Sequence, residues 1–307
     1  MGIKNVEPFR KELKPGWWPE SAIVSFDCQL FLWRTVKTKP IKSSILAKNL
    51  YDYLERWISM IETNTKIIKV ICYFDGSRPR MKTQTSIKRR FYNKIKLPNT
   101  TLTVNAFNKL PTKRNFEIRV GKESEFEMFH KRDVNFTNIL VTKDSDLLLI
   151  SNNYTKKTPN DNVYIWDLVR LYNCQSESPR SFNILLNILT GTDFNDSIFT
   201  RTMTMAIYNF KTFPTFIINN VQDLEFSILK LLILLKKSNM KFVSPSRTST
   251  PGDFRKFSNR LFWVYKYYET YNIDFNYENF ENVSSKDYLT YIIKKVYKDD
   301  DLYSFFK

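Results

Sequence analysis

Four short apolar runs along the chain are each followed closely by an aspartate. The runs are Ala22–Phe26, Ile67–Phe74, Asn138–Thr142 and Val163–Trp166, each rich in β-branched or aromatic residues. Runs of this length and composition predict buried β-strands. The aspartates that follow them are Asp27, Asp75, Asp144 and Asp167.

Helical patterns lie between these runs. In Ser44–Ile61 the apolar residues recur with the 3.6-residue period of an amphipathic helix. Strands alternating with helices predict an α/β fold with a mostly parallel central sheet flanked by helices, here with a helical C-terminal extension. In such sheets ligands bind beyond the carboxyl ends of the strands, so several aspartates at that edge indicate a functional site.

Charge and composition narrow the class of partner. The 307-residue chain carries a net charge of +17, which favours a polyanionic partner, with nucleic acid first and an anionic membrane surface second. A basic protein without such a partner is the alternative. The sequence contains no run of 18 apolar residues, so we predict no membrane span.

The scarcity of cysteine and histidine restricts the metal chemistry. Cys28, Cys72 and Cys174 form no CxxC pair and are typical of reduced thiols in an intracellular protein. His130 is the single histidine, so a zinc site built from His and Cys is nearly excluded. Any catalytic metal must therefore be held by carboxylates, which select Mg²⁺ or Mn²⁺.

A basic segment from Gly76 to Phe116 contains no acidic residue. Because no strong core pattern follows Tyr92, we predict a helix start and then a mobile basic excursion, with a solvated charged face as the alternative. Its eleven basic residues are Arg78, Arg80, Lys82, Lys88, Arg89, Arg90, Lys94, Lys96, Lys109, Lys113 and Arg114.

Seven carboxylates form the candidate site. One DxD or ExE pair alone is more often a solvated turn, but an ordered set of such pairs is harder to explain in that way. Converging carboxylates raise each other's pKa, and two divalent cations would relieve that repulsion while activating water for phosphodiester cleavage. The set comprises Asp27, Asp75, Glu123, Glu125, Asp144, Asp146 and Asp193.

Over roughly the first 210 residues the chain resembles the flap endonuclease/XPG family of structure-specific 5′ nucleases, which have a PIN-like fold. The matching motifs follow one another in family order. They are Met1-Gly2-Ile3, the strand ending at Asp27, Phe74-Asp75-Gly76 with Pro79, Gly121–Glu125, Thr142–Leu147 and Gly191–Phe194.

The resemblance implies a role for each matching position. Asp75, Glu123 and Glu125, with Asp27 beside them, would bind a first Mg²⁺, and Asp144, Asp146 and Asp193 a second, with Mn²⁺ as a substitute. Lys82 and Arg89, seven and fourteen residues after Asp75, would contact the scissile phosphate. Trp33 would stack on a base, unless it is a core tryptophan, and Gly2 would lie near the DNA junction. Further DNA contacts are expected from Arg78, Arg80, Lys88 and Arg90.

Two departures from the family pattern affect substrate choice. Only 33 residues separate Arg89 from Glu123, so the arch is short and its ability to enclose a 5′ flap is in doubt. The glycines of the family's helix-hairpin-helix turn are replaced by Thr200 and Thr202. These threonines and Arg201 would bind phosphate with a different geometry, and we predict no potassium site.

The predicted organisation is a nuclease core over residues 1–230 and a helical extension over 231–307. The core contains an arch-like segment at about 77–116 and a helix-hairpin-helix-like segment at about 183–213. The tail 299–306 resembles a sliding-clamp motif with Leu302, Phe305 and Phe306 as anchors, although Asp299 replaces the usual glutamine. Docking of these aromatics on the protein's own core is the alternative.

The sequence therefore predicts a monomeric, Mg²⁺-dependent nuclease that cuts branched or flapped DNA near single-strand/duplex junctions in replication or repair. The expected location is intracellular, in the nucleus of a eukaryotic host or else in the cytoplasm. A 5′–3′ exoribonuclease of related fold and a catalytically inactive DNA-binding scaffold are the alternatives.

Overall fold

The computed structural model describes residues 2–35, 42–76, 100–195, 197–210, 213–237, 254–271 and 285–296, with the backbone alone at 33–35, 285–286 and 293–296. The chain forms two compact units. The sheet unit is Lys14–Gln175, and the helical unit combines Met1–Leu13 with Ser176–Lys307. The predicted functional division at residue 230 falls within a helix and stays a prediction.

The described strands form one seven-stranded sheet in the order β1-β7-β6-β5-β2-β3-β4. β2 pairs in parallel with β3 and β5, β3 with β4, and β5 with β6, whereas β7 is antiparallel to β6. The predicted mostly parallel sheet and its four predicted strands are confirmed. The strands are β1 (Leu13–Pro15), β2 (Ser21–Asp27), β3 (Lys66–Asp75), β4 (Phe116–Gly121), β5 (Asn138–Val141), β6 (Val163–Trp166) and β7 (Leu171–Ser176).

Helices cover the sheet within the same unit. The predicted amphipathic helix is confirmed as α3, whose buried side chains include Leu50, Leu54 and Ile58. These residues belong to the core that also contains Val24 and Phe26 of β2. The helices are α2 (Cys28–Thr35), α3 (Ser43–Glu62), α4 (Thr100–Phe107), α5 (Ser124–His130) and α6 (Asp146–Ser151).

The second half of the basic segment packs into the core. Val104 and Phe107 of α4 are buried, and the Phe107 ring lies 5.6 Å from that of Phe116. Arg114 pairs with Glu62 of α3 through two contacts of 2.5 and 2.7 Å. The predicted mobile excursion is therefore wrong for residues 100–116, because apolar burial and this ion pair hold them.

The helical unit is built from six described helices. Glu225 accepts a 2.7 Å hydrogen bond from the Ser258 hydroxyl, which also lies 2.9 Å from the Tyr288 hydroxyl, so one polar chain joins three helices. The apolar stretch Ile228–Lys237 lies within α9, and its buried residues include Leu231, Leu232 and Leu235. The helices are α1 (Glu7–Glu12), α7 (Arg180–Thr190), α8 (Arg201–Tyr208), α9 (Val221–Lys237), α10 (Phe254–Thr270) and α11 (Ser285–Val296). Among the residues described, no helix has the length and apolar character needed to cross a bilayer.

Candidate metal centre

Six of the seven predicted carboxylates lie at the carboxyl edge of the sheet. Asp27 and Asp75 are the last residues of β2 and β3, and Asp144 lies in the loop after β5. Since these strands are parallel, their carboxyl ends meet at one edge. The other three are Glu123 and Glu125 around the start of α5, and Asp146 at the start of α6.

The tightest group consists of Glu125, Asp144 and Asp146. Each offers a carboxylate oxygen, and these oxygens lie within 4.8 Å of one another. Glu125 and Asp146 are buried and Asp144 is half-buried. An all-oxygen donor set with two buried members fits Mg²⁺ or Mn²⁺ and is unsuited to softer metals. The predicted split of these residues between two ions stays a prediction.

Asp27 lies at the base of the site and is 3% exposed. Its Oδ1 accepts hydrogen bonds from the Ser124 hydroxyl at 2.9 Å and the Leu30 amide at 3.3 Å, and its Oδ2 accepts one from the Thr142 hydroxyl at 2.8 Å. Burial, followed by the charges of Glu125 and Asp75, raises the pKa of Asp27 to about 8, against the opposing effect of the two hydroxyls. A nearby cation would relieve this repulsion.

Close contact between β3 and β4 brings Asp75 to the start of α5. The Gly76 amide donates to the Gly121 carbonyl at 2.5 Å, and a Cβ at Gly76 would lie only 2.8 Å from that oxygen. Glycine is thus needed for this approach. As a result, the Ser124 amide donates to Asp75 Oδ1 at 2.9 Å.

Ser124 and Thr142 are site residues that sequence reasoning missed. Ser124 lies between Glu123 and Glu125, and Thr142 directly follows β5, two residues before Asp144. Both were present in the motifs used for the resemblance, but only the carboxylates of those motifs were assigned roles. A hydroxyl residue within or just before a pair of carboxylates is the sequence signal that could have identified them.

Asp193 lies in the helical unit, half-buried in a loop that a hydrogen bond and a ring contact stabilise. Gly191 has φ of 102°, a conformation that favours glycine. The Thr192 hydroxyl donates to Asn195 Oδ1 at 2.7 Å, and the Phe194 ring lies 4.8 Å from that of Tyr267. The assignment of Asp193 to the metal centre stays a prediction.

Four of the predicted DNA contacts lie in the helical unit. Gly2 is buried with φ of 93°. Thr200 caps α8, its hydroxyl accepting from the Met203 amide at 3.2 Å, while Arg201 and Thr202 are exposed in the first turn. Their binding to DNA stays a prediction.

Several predicted contacts fall outside the described part of the chain. Trp33 belongs to α2, but its side chain is not described. Also outside the described residues are Arg78, Arg80, Lys82, Lys88, Arg89, Arg90, Leu302, Phe305 and Phe306.

Asp167, the fourth strand-end aspartate, has a local role. Its Oδ1 accepts from the amides of Val169 at 3.0 Å and Arg170 at 2.8 Å. These bonds close a tight turn in which Leu168 has φ of 71°. The aspartate after β6 thus stabilises a turn between β6 and β7.

Comparisons with known proteins identify the fold. No family model and no curated protein matches the sequence. Three structures of the catalytic core of Rad2 in complex with DNA substrate are similar to it. The first has a TM-score of 0.55 at 15% identity and covers 98% of both chains. The second has a TM-score of 0.51 at 14% identity and also covers 98% of both chains. The third has 0.50 at 12% identity, covering 98% of this chain and 96% of that one.

The chain therefore has a PIN-like nuclease fold. More specifically, it has the fold of the flap endonuclease/XPG family, to which the sequence motifs had pointed.

Proposed function

We propose that this chain is a structure-specific 5′ nuclease that hydrolyses DNA phosphodiesters near single-strand/duplex junctions, in DNA replication or repair. The observation that supports this most strongly is the cluster of Glu125, Asp144 and Asp146 on the carboxyl edge of a nuclease fold. The similar Rad2 structures were solved with DNA substrate.

Each group of residues has its own task in this proposal. Glu125, Asp144 and Asp146 hold divalent metal, with Asp75, Glu123 and Asp193 completing a site for two Mg²⁺ ions, and Mn²⁺ as a substitute. Bound metal of this kind polarises the phosphodiester and lowers the pKa of water. Asp27 organises the carboxylates. The buried floor around Asp27 limits access of bulk water, which strengthens the electrostatic interactions of the site.

Basic and aromatic side chains bind the DNA in this proposal. Lys82 and Arg89 contact the scissile phosphate, and Trp33 stacks on a base beside it. The remaining positive charge attracts the backbone of branched or flapped DNA. Replacing both Lys82 and Arg89 by Ala should lower the cleavage rate far more than DNA affinity. An equal fall in both would reduce their role to general attraction.

The deciding experiment is cleavage of end-labelled 5′-flap DNA by the purified full chain, with Mg²⁺ or with EDTA. We expect Mg²⁺-dependent incision near the junction. Single-stranded RNA of matched sequence is the comparison substrate. Preferred cleavage of the RNA would show an exoribonuclease, and DNA binding without cleavage of either substrate would show an inactive scaffold.

The short arch leads to a proposal about substrate entry. We expect gapped or bubble DNA with a bulky group on its 5′ end to be cut as fast as the unblocked form, because a short arch need not be threaded. Strong inhibition by the block would show that threading takes place.

The tail 299–306 is proposed to tether the monomeric enzyme to a sliding clamp through Leu302, Phe305 and Phe306, in the nucleus of a eukaryotic host. Replacing both phenylalanines by Ala should abolish clamp binding and leave the melting temperature unchanged. A lower melting temperature, with no clamp binding by the parent chain, would instead assign the tail to the protein's own core.

A further inference from the structure

We propose that Ser124 is a positioning residue of the metal centre, which sets the spacing of carboxylates from neighbouring strands. This inference rests on the proposed metal-dependent function and assigns the serine a role within it. Ser124 is 1% exposed and holds Asp27 with its hydroxyl and Asp75 with its amide, each at 2.9 Å. One residue of α5 thereby fixes the last residues of β2 and β3.

The same hydroxyl also contacts the carboxylate of Glu125. Its oxygen lies 3.3 Å from Glu125 Oε2, compared with 2.9 Å from Asp27 Oδ1. A serine hydroxyl has one hydrogen to donate, so these two carboxylates share a single donor. The shorter distance favours Asp27 as the acceptor. Without the hydroxyl, the Asp27 and Glu125 carboxylates would lose the donor that lies between them.

Thr142 completes the arrangement from the other side. Its hydroxyl donates to Asp27 Oδ2 at 2.8 Å and accepts from the Asp144 amide at 3.0 Å. Both oxygens of Asp27 therefore receive a hydroxyl hydrogen bond. This suits Asp27 to hold the site together, while Glu125 and the Asp144 loop face the metal. The two hydroxyls connect α5, β2 and the loop after β5.

Helix capping does not explain the serine hydroxyl. Ser124 is the first residue of α5, where serine is common because its hydroxyl often binds nearby amides. Here the hydroxyl contacts two carboxylates, 97 positions and 1 position away in sequence. Such groups that orient metal ligands change metal affinity when they are removed.

The test compares Ser124→Ala with Ser151→Ala in the full-length protein. Ser151 is a matched control, since it is fully buried in α6 of the same unit and its hydroxyl donates to the Leu147 carbonyl at 2.8 Å. Mn²⁺ affinity is measured from the electron paramagnetic resonance signal of the free ion, and the melting temperature is measured in EDTA. Ser124→Ala should weaken Mn²⁺ binding by about 10–100-fold. Ser151→Ala should leave Mn²⁺ binding unchanged, and the two variants should melt at similar temperatures.

A second pair of variants separates the hydroxyl from side-chain shape. Thr142→Val removes the hydroxyl and keeps the volume, whereas Thr142→Ser keeps the hydroxyl and loses a methyl group. We expect weak Mn²⁺ binding for valine and near-normal binding for serine. If the flap DNA is cleaved, kcat should fall for Ser124→Ala and Thr142→Val, with KM for DNA unchanged.

Two results would overturn the positioning role. One is Mn²⁺ affinity in Ser124→Ala equal to that of Ser151→Ala. The other is a loss of affinity that only parallels a lower melting temperature. If the wild-type protein cuts no DNA but the Ser124→Ala variant selectively loses Mn²⁺ affinity, the nuclease proposal fails and the positioning role stands.

Discussion

Two buried aspartates, Asp161 at the amino edge of the parallel strands and Asp27 at their carboxyl edge, have opposite electrostatic environments. Asp161, just before β6, receives two bonds from Arg132, at 2.7 Å to Oδ1 and 2.6 Å to Oδ2. Although desolvation pushes its pKa up, the bonds from Arg132 and from the Lys157 amide hold the pKa of Asp161 below its usual value. Asp27, at the end of β2, has a raised pKa and neutral donors.

The difference indicates which acid has a structural role. The Arg132 guanidinium neutralises Asp161 and lies over the rings of Phe129, at 4.4 Å, and Tyr154, at 5.0 Å. A buried charge that is paired within the protein in this way has a structural role. Around Asp27 the charges that shift its pKa are the carboxylates of Glu125 and Asp75. Carboxylates gathered in this way are suited to a cation supplied from outside the protein.

The largest effect should come from removing charge at the carboxyl edge. Asp146→Asn should lower single-turnover cleavage of flap DNA by several orders of magnitude and leave DNA binding largely intact, because metal binding is impaired. Asp167→Asn is the control, since that carboxylate closes the turn after the next strand. Undiminished cleavage by Asp146→Asn would sink the metal assignment.

At the opposite edge the large effect should be on stability. Arg132→Met leaves Asp161 buried without its cation and should lower the free energy of unfolding by about 3–5 kcal/mol, as measured in urea. Lys69→Met breaks a surface pair with Glu117, and that change should stay within about 1 kcal/mol. A loss of under about 1 kcal/mol for Arg132→Met would remove the distinction between the two edges.

Acid should weaken the Arg132–Asp161 pair. The folded-state pKa of Asp161 is below its unfolded value of about 4. The pair therefore contributes fully to the stability of the fold above the unfolded pKa, and this contribution is lost as the pH falls through the folded-state pKa. Urea unfolding at a series of pH values from neutral into this range should show a steeper loss for wild type than for Arg132→Met. Parallel curves would contradict the assignment.

The smallest change in stability should come from Asp27→Asn in EDTA. Asparagine keeps an oxygen for Ser124 and Leu30, and its amide can donate to the Thr142 hydroxyl, while the cost of burying an ionisable carboxyl beside Glu125 and Asp75 is removed. The free energy of unfolding should stay within about 1 kcal/mol of wild type or rise. A loss as large as that of Arg132→Met would show that Asp27 has a structural role like that of Asp161.

Sequence patterns predicted the parts of the fold that depend on local apolar runs. The strands ending at Asp27 and Asp75 were predicted because burial on both faces, along β2 and over 70–74 of β3, leaves near-continuous hydrophobic sequence. β4 was missed because Glu117 and Arg119 interrupt its pattern at the edge of the sheet. Among the strands that the structure describes, β4 has a neighbour on one side only.

Side-chain contacts between residues distant in sequence could not be predicted from local sequence patterns. The carboxylates of the site were predicted from their motifs, but the hydroxyl partners of Asp27 lie 97 and 115 positions away. The Arg132–Asp161 pair, 29 positions apart, gave no local signal. Asp167, which also follows a strand but was not among the seven candidate carboxylates, closes a local turn.

The most direct test is calorimetric titration of Mg²⁺ into the metal-free protein, comparing the wild type with the Glu125→Gln/Asp146→Asn double variant. Both substitutions keep side-chain size and remove charge at the carboxyl edge. Saturable binding by the wild type that is lost in a folded double variant is the predicted result. Equal binding by both proteins, or no binding by the wild type, would contradict the claim that this edge is a divalent-metal centre.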